Sequence, residues 1–343
     1  MPSRPPQRAT PEPSLRATAQ QVADAAGVSI SAVSRTFTKG ASVSPKMRKR
    51  VLAAAEALGY RPNQLARSLM TGRTELVALV SNHFANPAFM EVFDLFTREL
   101  QERGLRPLLA NLGEKDDGRA ALDMIQQYNV DAVLIATSAP PEGFAASCRA
   151  AGLPVLHVFG RAGRTVPVPV VTVDNVSGGR LVGEAMLSRG LKRLAFIGSG
   201  EHDASTQDRA KGFLEAAGRA VKSVIYAGDY THGHGRKAML QLLEEHPAVD
   251  GVFCGDDVLA LGALDACRER DVDVPGQVSV VGFDDMPLAA WAAYDLTTVR
   301  QPIAAMVTHA IERIVAWMEH PDAVPRSRLF PCELIQRTSL KRR

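Results

Sequence analysis

Residues Val22 to Arg35 read VADAAGVSISAVSR and carry the local signals that indicate the fold of the N-terminal part of the chain. The stretch begins inside a predicted helix that Thr18 can cap, with Gln21 completing a capping box. Gly27 is placed to end that helix, and Ser29 can cap a second helix directly after it. Two short helices joined by a glycine-containing turn are typical of a helix-turn-helix.

A third helix is predicted downstream, with Ser44 as its cap, Pro45 in its first turn and Gly59 as its stop. Helical spacing of apolar residues gives this helix a buried stripe of Met47, Val51, Ala54 and Leu58. A stripe of this kind packs a third helix beneath the other two. The sequence therefore predicts an all-α helix-turn-helix domain over residues 17–62.

The segments on either side of this domain have a different composition. Residues 1–16 are rich in Pro and Arg and predict a disordered, solvated arm. Residues 63–70 have helical propensity, but eight residues are marginal as an isolated helix. We therefore expect a hinge helix and linker over residues 63–74.

From residue 75 to residue 340, short apolar strands alternate with longer amphipathic stretches. Strands are predicted at residues 76–81, 106–110, 132–136, 154–159, 170–173, 193–198, 251–254 and 278–283. Nearly all-apolar strands in such an alternation predict parallel sheets covered on both faces. About 270 residues of this pattern predict two α/β lobes, with a ligand beyond the carboxyl ends of the strands.

The formal charge is divided unevenly along the chain. Residues 1–74 hold 12 Lys and Arg against three acidic residues, a net charge of +9, whereas the remainder has a net charge of −6. Positive charge concentrated in one small module is expected where only that module meets a polyanion. The alternative is an ordinary three-helix module with a solvated basic face.

A recognition helix enters the major groove with its N-terminus first, so its early outward residues reach base edges. Those residues are Ile30, Ser31, Ser34 and Arg35 in the second helix. Arg35 can read guanine with two hydrogen bonds, while Ser29 and Ser34 suit phosphates. Further positive charge near the backbone is expected from Lys39, Lys46, Arg48, Lys49 and Arg50.

The motifs along the chain resemble the lactose/galactose repressor family over residues 17–339. The N-terminal ones are the opening stretch, L-G-Y-R-P-N (58–63) and A-R-S-L (66–69). Those of the α/β part are G-V-F-C-G-D-D (251–257), V-S-V-V-G-F-D-D (278–285) and L-T-T-V-R-Q-P (296–302). Several dispersed motifs in the right order are more specific than any one of them.

The resemblance implies a periplasmic-binding-protein-like fold for the two lobes and a DNA-binding transcriptional regulator as the function. We expect a repressor of carbohydrate or sugar-acid utilisation genes, acting as a homodimer on a palindromic double-stranded DNA operator. Its effector would be a small molecule, a sugar or sugar derivative. The alternative is a cytoplasmic sugar-binding or sugar-processing α/β protein without a regulatory role.

The resemblance also assigns roles to the hinge. Leu69 matches a leucine that family members wedge into the minor groove, and Leu65 and Ala66 match neighbours that pack on the groove or on the partner hinge. Asn63 and Arg67 are expected at the DNA as well. The alternative for the two leucines is a linker that packs on its own sensor.

For the sensor, Arg209 in S-T-Q-D-R-A-K-G-F (205–213) matches an arginine that holds acceptor groups of the effector. Asp284 matches an effector-binding aspartate, and Asp256, Asn86 and Phe89 are further candidates to line the cleft. Without the resemblance, either aspartate could cap a helix. Arg209 could then pair on a helix surface with its sequence neighbour Asp208 or with Glu215, six residues on.

Enzymatic signatures are lacking, because the sequence has no phosphate-binding P-loop, no dinucleotide fingerprint and no nucleophile elbow. We expect neither an enzyme nor a cofactor or metal site, and interpret His232 and His234 as a solvated polar loop. Without an apolar span or a signal peptide, the protein is expected in the cytoplasm, associated with the nucleoid and not with a membrane. The effector's identity, its polarity and the operator sequence stay open.

Overall fold

The computed structural model describes residues 17–38, 40–63, 68, 71–113, 117–138, 140–161 and 168–342. The chain divides into two compact units between Thr74 and Glu75. The first unit holds short helices and the second holds two α/β lobes. Among the helices of the described part, none is long and apolar enough to cross a membrane.

The helices of the first unit are α1 (Ala19–Ala26), α2 (Ile30–Phe37) and α3 (Pro45–Ala57). The expected capping residues Thr18, Ser29 and Ser44 each accept a hydrogen bond at 3.3 Å from the backbone N–H three residues later. Gln21 Oε1 accepts in return from the Thr18 N–H at 2.8 Å, which confirms the capping box. Gly27 follows α1 with a φ of 60°, in the left-handed region that glycine adopts freely.

The core of this unit is built on Val22, Val33 and Val51, all fully buried. The prediction that Leu58 belongs to the buried stripe was wrong, because its side chain is 42% exposed. The last residue of α3 is Ala57, so Leu58 lies in the turn beyond it, and Ala55 is buried in the core instead.

Two of the basic side chains expected near the DNA backbone bind carbonyls of their own module. Arg50 donates to Ala26 O and Gly27 O, and Arg48 Nη1 donates to Thr36 O at 2.8 Å. The carbonyls at the end of a helix have no helical donor of their own. These arginines therefore close the C-terminal ends of α1 and α2.

The first lobe of the second unit is a parallel sheet in the order β11-β5-β4-β3-β1-β2. Its strands are β1 (Leu76–Ser81), β2 (Arg106–Asn111), β3 (Ala132–Ala136), β4 (Val155–Val158), β5 (Val170–Val173) and β11 (Arg328–Phe330). Its helices are α4 (Ala88–Glu102), α5 (Arg119–Gln127), α6 (Phe144–Ala150) and α11 (Ile303–Glu319). The central strands β1, β3 and β4 are buried almost throughout, which confirms the expectation of a parallel sheet covered on both faces.

The second lobe is a sheet in the order β12-β10-β9-β8-β6-β7, in which only the edge pair β10–β12 is antiparallel within the described strands. Its strands are β6 (Leu194–Gly198), β7 (Val221–Tyr226), β8 (Gly251–Cys254), β9 (Ser279–Asp284), β10 (Thr297–Arg300) and β12 (Glu333–Ile335). Its helices are α7 (Asn175–Ser188), α8 (Ala204–Ala217), α9 (His232–Glu245) and α10 (Asp257–Glu269). Short 3₁₀ turns span Gly218–Ala220 and Pro287–Ala290.

The chain passes between the lobes at three places, namely Asp174, Gln301–Pro302 and Pro331–Cys332. The first and third crossings are joined, because the Asp174 N–H donates to Phe330 O at 2.8 Å and Cys332 Sγ lies 3.5 Å from Asp174 O. Two of the three connections between the lobes therefore lie side by side.

The interpretation of His232 and His234 as a loop was wrong, because helix α9 begins at His232. Thr231 caps it by accepting from the His234 N–H at 3.3 Å, and His232 Nε2 lies 2.8 Å from Asp265 Oδ2. The glycines in this stretch do not mark a turn. A Cβ on Gly235 would lie 2.2 Å from Leu259 O, so the missing side chain lets α9 pack against α10.

This close approach predicts opposite behaviour for two glycines of the same helix. Gly235→Ala should lower the free energy of unfolding by about 1–3 kcal/mol, because a methyl group is forced against the backbone of α10. Gly233→Ala is the matched control, since a Cβ at that position would meet nothing within 4 Å and alanine favours the helix. Urea unfolding of the full chain measures both changes. Equal losses in the two variants would contradict the role of Gly235 in packing.

Candidate functional site

The residues expected to contact DNA lie together on the outer face of α2. Ala32, Val33 and Thr36 on its opposite face are buried in the helical module. The exposed residues of this face are Ser29, Ile30, Ser31, Ser34 and Arg35. Such a face presents an apolar side chain, hydroxyls and one guanidinium to whatever it meets, a combination suited to base edges and phosphates.

The hinge is only partly within the described residues. Asn63 is exposed at the end of the helical module, whereas Leu65, Ala66, Arg67 and Leu69 lie outside the described residues. Downstream, the Gly72 N–H donates to Ser68 O at 2.8 Å. The roles of the hinge residues therefore stay predictions.

In the second unit, the carboxyl ends of strands from both lobes face one cleft, which residues of both lobes line. All five predicted effector residues line it: Asn86 and Phe89 from the first lobe, and Arg209, Asp256 and Asp284 from the second. The structure also places there residues that the sequence did not single out, including His83, Ser138, Phe159, Ser205, Tyr230 and Gln301. The fold therefore brings together the predicted residues and surrounds them with further polar and aromatic groups.

Arg209 is buried, with only 6% of its surface exposed. Its Nε donates to Asn175 Oδ1 at 2.8 Å and its Nη1 donates to Gly255 O. Its Nη2 lies 3.6 Å from Asp284 Oδ1, and its guanidinium carbon lies 3.7 Å from the centre of the Phe283 ring. Burial lowers the pKa of Arg209, but Asp284 and other nearby groups outweigh it and raise the pKa overall, so the guanidinium keeps its charge.

Arg209 does not form the alternative surface ion pairs with Asp208 or Glu215. Asp208 is paired with Arg161 at 2.5 Å, and Glu215 is paired with Arg180 at 2.9 Å. Arg209 points from α8 toward the cleft, while these acids face other partners. Its donors are therefore largely engaged by the wall of the cleft.

Asp284 stands at a strained corner at the carboxyl end of β9. Its φ is 124° and that of Asp285 is 58°, both in the region that non-glycine residues rarely adopt. Gln301 donates to the carboxylate of Asp284, while Asp285 accepts from Arg300 Nε at 2.7 Å and from Arg337 Nη2 at 2.6 Å. The two arginines hold Asp285 on one side of the corner, so that Asp284 faces the cleft.

Asp256 has two roles in the structure. Its Oδ1 caps α10 by accepting from the Val258 N–H at 2.5 Å, and its Oδ2 accepts from Asn86 Nδ2 of the other lobe at 3.3 Å. Burial, followed by the charges of Asp284 and Asp257, raises the pKa of Asp256 well above its ordinary value. A protonated carboxyl at this position can donate a hydrogen bond as well as accept one.

Aromatic side chains also line the cleft. Phe89 packs edge-on against Phe159 at 5.6 Å and lies 4.7 Å from the His83 ring, whose other neighbour is Tyr230 at 6.2 Å. Burial lowers the pKa of His83, which favours the neutral ring. The cleft therefore offers aromatic surface beside its polar groups.

Three of the residues that the sequence did not single out lie at the carboxyl ends of strands, as Asp284 does. Ser138 comes two residues after β3, Phe159 directly after β4, and Gln301 directly after β10. The buried Oε1 of Gln301 has no hydrogen-bond partner among the described residues. Tyr230, by contrast, lies four residues beyond β7, in a loop.

The described residues do not form a set of side chains that could bind a metal ion. Within residues 17–342, gaps excepted, no group of three or more His, Cys, Asp or Glu side chains could hold a metal ion. Asp256 and its neighbour Asp257 bind different partners, since Asp257 accepts from the Met286 N–H at 2.9 Å and from Thr298 Oγ1 at 2.5 Å.

Comparison with known proteins places both units. Residues 18–63 match the family of bacterial regulatory proteins, lacI family, and residues 184–340 match a periplasmic binding protein-like domain. The HTH-type transcriptional regulator CelR of Thermobifida fusca is 33% identical over 311 residues, which cover 85% of this chain and 88% of CelR.

Two solved structures align along most of the chain. A complex of the transcriptional regulator CelR with cellobiose aligns with a TM-score of 0.70 and 30% identity, over 94% of this chain and 100% of that one. The Lac repressor dimer bound to operator and the anti-inducer ONPF aligns with a TM-score of 0.85 and 23% identity, over 95% and 100%. The second likeness confirms the fold, a helical N-terminal part followed by two α/β lobes.

The protonation of Asp256 predicts how stability changes with pH. A carboxyl with a raised pKa binds a proton in the folded chain that the unfolded chain has released, so its contribution to stability falls as pH rises above the ordinary value. Asp256→Asn mimics the neutral acid and escapes this loss. Between about pH 4 and about pH 8, the melting temperature of Asp256→Asn should therefore rise relative to that of the wild type.

Asp94→Asn, at an exposed position on α4, is the control and should follow the wild-type profile throughout. Circular dichroism melting curves at a series of pH values give the comparison. Parallel profiles for Asp256→Asn and the wild type would show that Asp256 is ionised in the folded protein.

Proposed function

Because the chain belongs to the lacI family of bacterial regulatory proteins, we propose that it is a transcriptional repressor whose affinity for operator DNA is controlled by a small carbohydrate. The observation that carries the proposal is the interlobe cleft, which aromatic side chains line together with Arg209 and Asp284. A separate module with a net charge of +9 supplies the DNA-reading face.

Each part of the chain has its own role in this proposal. Residues 17–62 read DNA, residues 63–74 form the hinge, and residues 75–340 bind the effector and dimerise. A two-fold palindrome needs two readers, and a symmetric homodimer supplies them. The exposed face of α2, with Arg35 as its guanine reader, enters the major groove of each half-site.

The hinge residues complete the contact with DNA. Leu69 acts as the minor-groove wedge, Leu65 and Ala66 pack against the groove or the partner hinge, and Asn63 and Arg67 bind nearby. This assignment rests on the family motif A-R-S-L. A short helix that is marginal alone suits a segment that becomes ordered on DNA.

The cleft favours a neutral sugar over a sugar acid. Arg209 already donates to Asn175 and Gly255, and its remaining nitrogen is close to Asp284. The Asp284 carboxylate accepts hydrogen bonds from hydroxyl groups and repels a ligand carboxylate, while the protonated Asp256 beside it can accept a hydrogen bond or donate one. The apolar face of a sugar ring fits against Phe89 and Phe159. The cellobiose complex of CelR, a neutral disaccharide bound by a relative, agrees with this chemistry.

The effector acts by closing the lobes around itself. Closure changes the relation between the two hinges of the dimer and thereby shifts the population that is competent to bind DNA. The same arrangement serves an inducer or a corepressor, depending on which lobe geometry favours the operator.

The DNA-reading role is tested with Arg35→Ala. Loss of a bidentate guanine contact should weaken binding to the specific site about 10- to 100-fold while leaving nonspecific binding nearly unchanged. Footprinting on DNA upstream of the protein's own gene, at several salt concentrations, measures both. Arg98→Ala, which removes an exposed arginine from α4, should bind as the wild type does. Equal loss at specific and nonspecific DNA would remove Arg35 from base reading.

The effector role is tested by calorimetry with cellobiose, glucose and glucuronic acid. We expect a neutral sugar to bind and the acid to bind at least tenfold more weakly, because the acid brings a second carboxylate toward that of Asp284. Arg209→Ala and Asp284→Asn should abolish the binding while leaving affinity for DNA intact. Tighter binding of the acid, or full binding by Asp284→Asn, would contradict the assignment.

A further inference from the structure

A second set of contacts joins the two lobes outside the effector pocket. Arg161 follows β4 in the first lobe, and its side chain is 48% exposed. Its Nε donates to Asp208 Oδ2 at 3.1 Å, its Nη1 to Gln207 Oε1 at 3.1 Å and its Nη2 to Ala204 O at 3.1 Å. Nη2 also donates to Asp208 Oδ1, so the carboxylate is held at both oxygens. One guanidinium from the first lobe thus binds three residues of the second.

The same end of α8 is held by a second residue of the first lobe. Ser138 Oγ donates to Asp203 Oδ2 at 2.5 Å. Asp203 also caps α8 by accepting from the Thr206 N–H at 2.8 Å, and its Oδ1 accepts from Tyr230 O–H at 3.1 Å. The first lobe therefore grips the start of α8 at two points.

Arg161 contacts a different face of α8 from the face that lines the cleft. Ser205 and Arg209, four residues apart, line the cleft, whereas Ala204 and Asp208, also four residues apart, face Arg161. Residues at this spacing share one face of a helix. Arg161 therefore binds the helix that carries the effector arginine, and it does so without lining the pocket.

We propose that Arg161 is an interlobe clasp that stabilises the closed lobes in the absence of effector and thereby sets effector affinity without touching the effector. An exposed ion pair is weak, reversible and screened by salt, which suits a contact that must open for a ligand to enter. A contact that holds the lobes together affects the binding of any ligand in the cleft, whatever its chemical class. The proposal therefore does not depend on the effector being a carbohydrate.

Hydrogen exchange of the full chain without effector or DNA tests the clasp. Arg161→Ala should speed exchange about three- to tenfold at cleft residues that do not contact Arg161, in segments 83–92 and 254–258. Exchange in the core strands β6 and β8 should not change. Raising NaCl from about 0.05 to about 0.5 M should bring the wild type toward the variant and leave the variant nearly unaltered, because salt of this strength screens an exposed pair.

Two further variants make the result specific. Arg98→Ala removes an exposed arginine whose ion pair with Asp94 lies within one helix, and it should exchange as the wild type does. The double variant Arg161→Asp with Asp208→Arg restores an opposite-charge pair and should recover part of the protection at residues 83–92.

Each remaining outcome counts against the proposal. Faster exchange confined to residues 158–161 and 203–208 would make Arg161 a local surface contact. Faster exchange that is equal in the cleft and in β6 and β8 would make it a stabiliser of the whole fold. Unchanged exchange everywhere, or no recovery in the charge-reversed pair, would likewise overturn the clasp.

Discussion

The buried guanidinium of Arg209 is the constraint on which the second lobe depends. A buried charge is tolerated only when it is paired and its donors are satisfied. The partners come from three places in the sequence: Asn175 at the start of α7, Gly255 after β8 and Asp284 at the end of β9. Each of these segments must keep its position for the charge to be compensated. The polar wall of the cleft is therefore ordered before any ligand arrives.

Close packing of helices brings these partners together. A Cβ on Gly179 would lie 2.0 Å from Arg209 O, and one on Gly212 would lie 1.8 Å from Val176 O, so α7 and α8 approach at backbone distance. At the end of β9, Arg300 and Arg337 both donate hydrogen bonds to the carboxylate of Asp285. These bonds fix the strained backbone of the neighbouring Asp284. Residues in rarely adopted backbone conformations persist only where their surroundings fix them, and they cluster at functional sites.

Much of this architecture could be predicted from local patterns. The caps at Thr18, Ser29 and Ser44 depend on residues three apart, and strands such as β1 and β3 are simple apolar runs. The family motifs and the strand-end rule together pointed to Asp256 and Asp284, whereas Gln301 was missed because the strand before it, β10, was not predicted. For the caps and the strands, the physical cause lies within a few residues of the effect.

The features that were missed depend on distant neighbours. Helix α9 begins with His-Gly-His-Gly, a sequence typical of a turn, and the missing side chain of Gly235 lets this helix pack against the backbone of Leu259. β7 alternates half-buried and exposed residues as an edge strand, so it lacks the apolar run that marks the others. Arg161 has no motif around it, and its importance follows only from the fold that carries Asp208 to it.

If the cleft is coupled to the proposed DNA-reading face, sugar and operator must be thermodynamically linked. The measurement is the dissociation constant of the sugar selected by calorimetry, in the presence and absence of saturating operator DNA. We expect operator to change the sugar's affinity by the same factor by which the sugar changes the operator's affinity, typically about 5- to 150-fold. An identical dissociation constant with and without DNA would contradict this coupling, because the cleft and the helical module would then act independently.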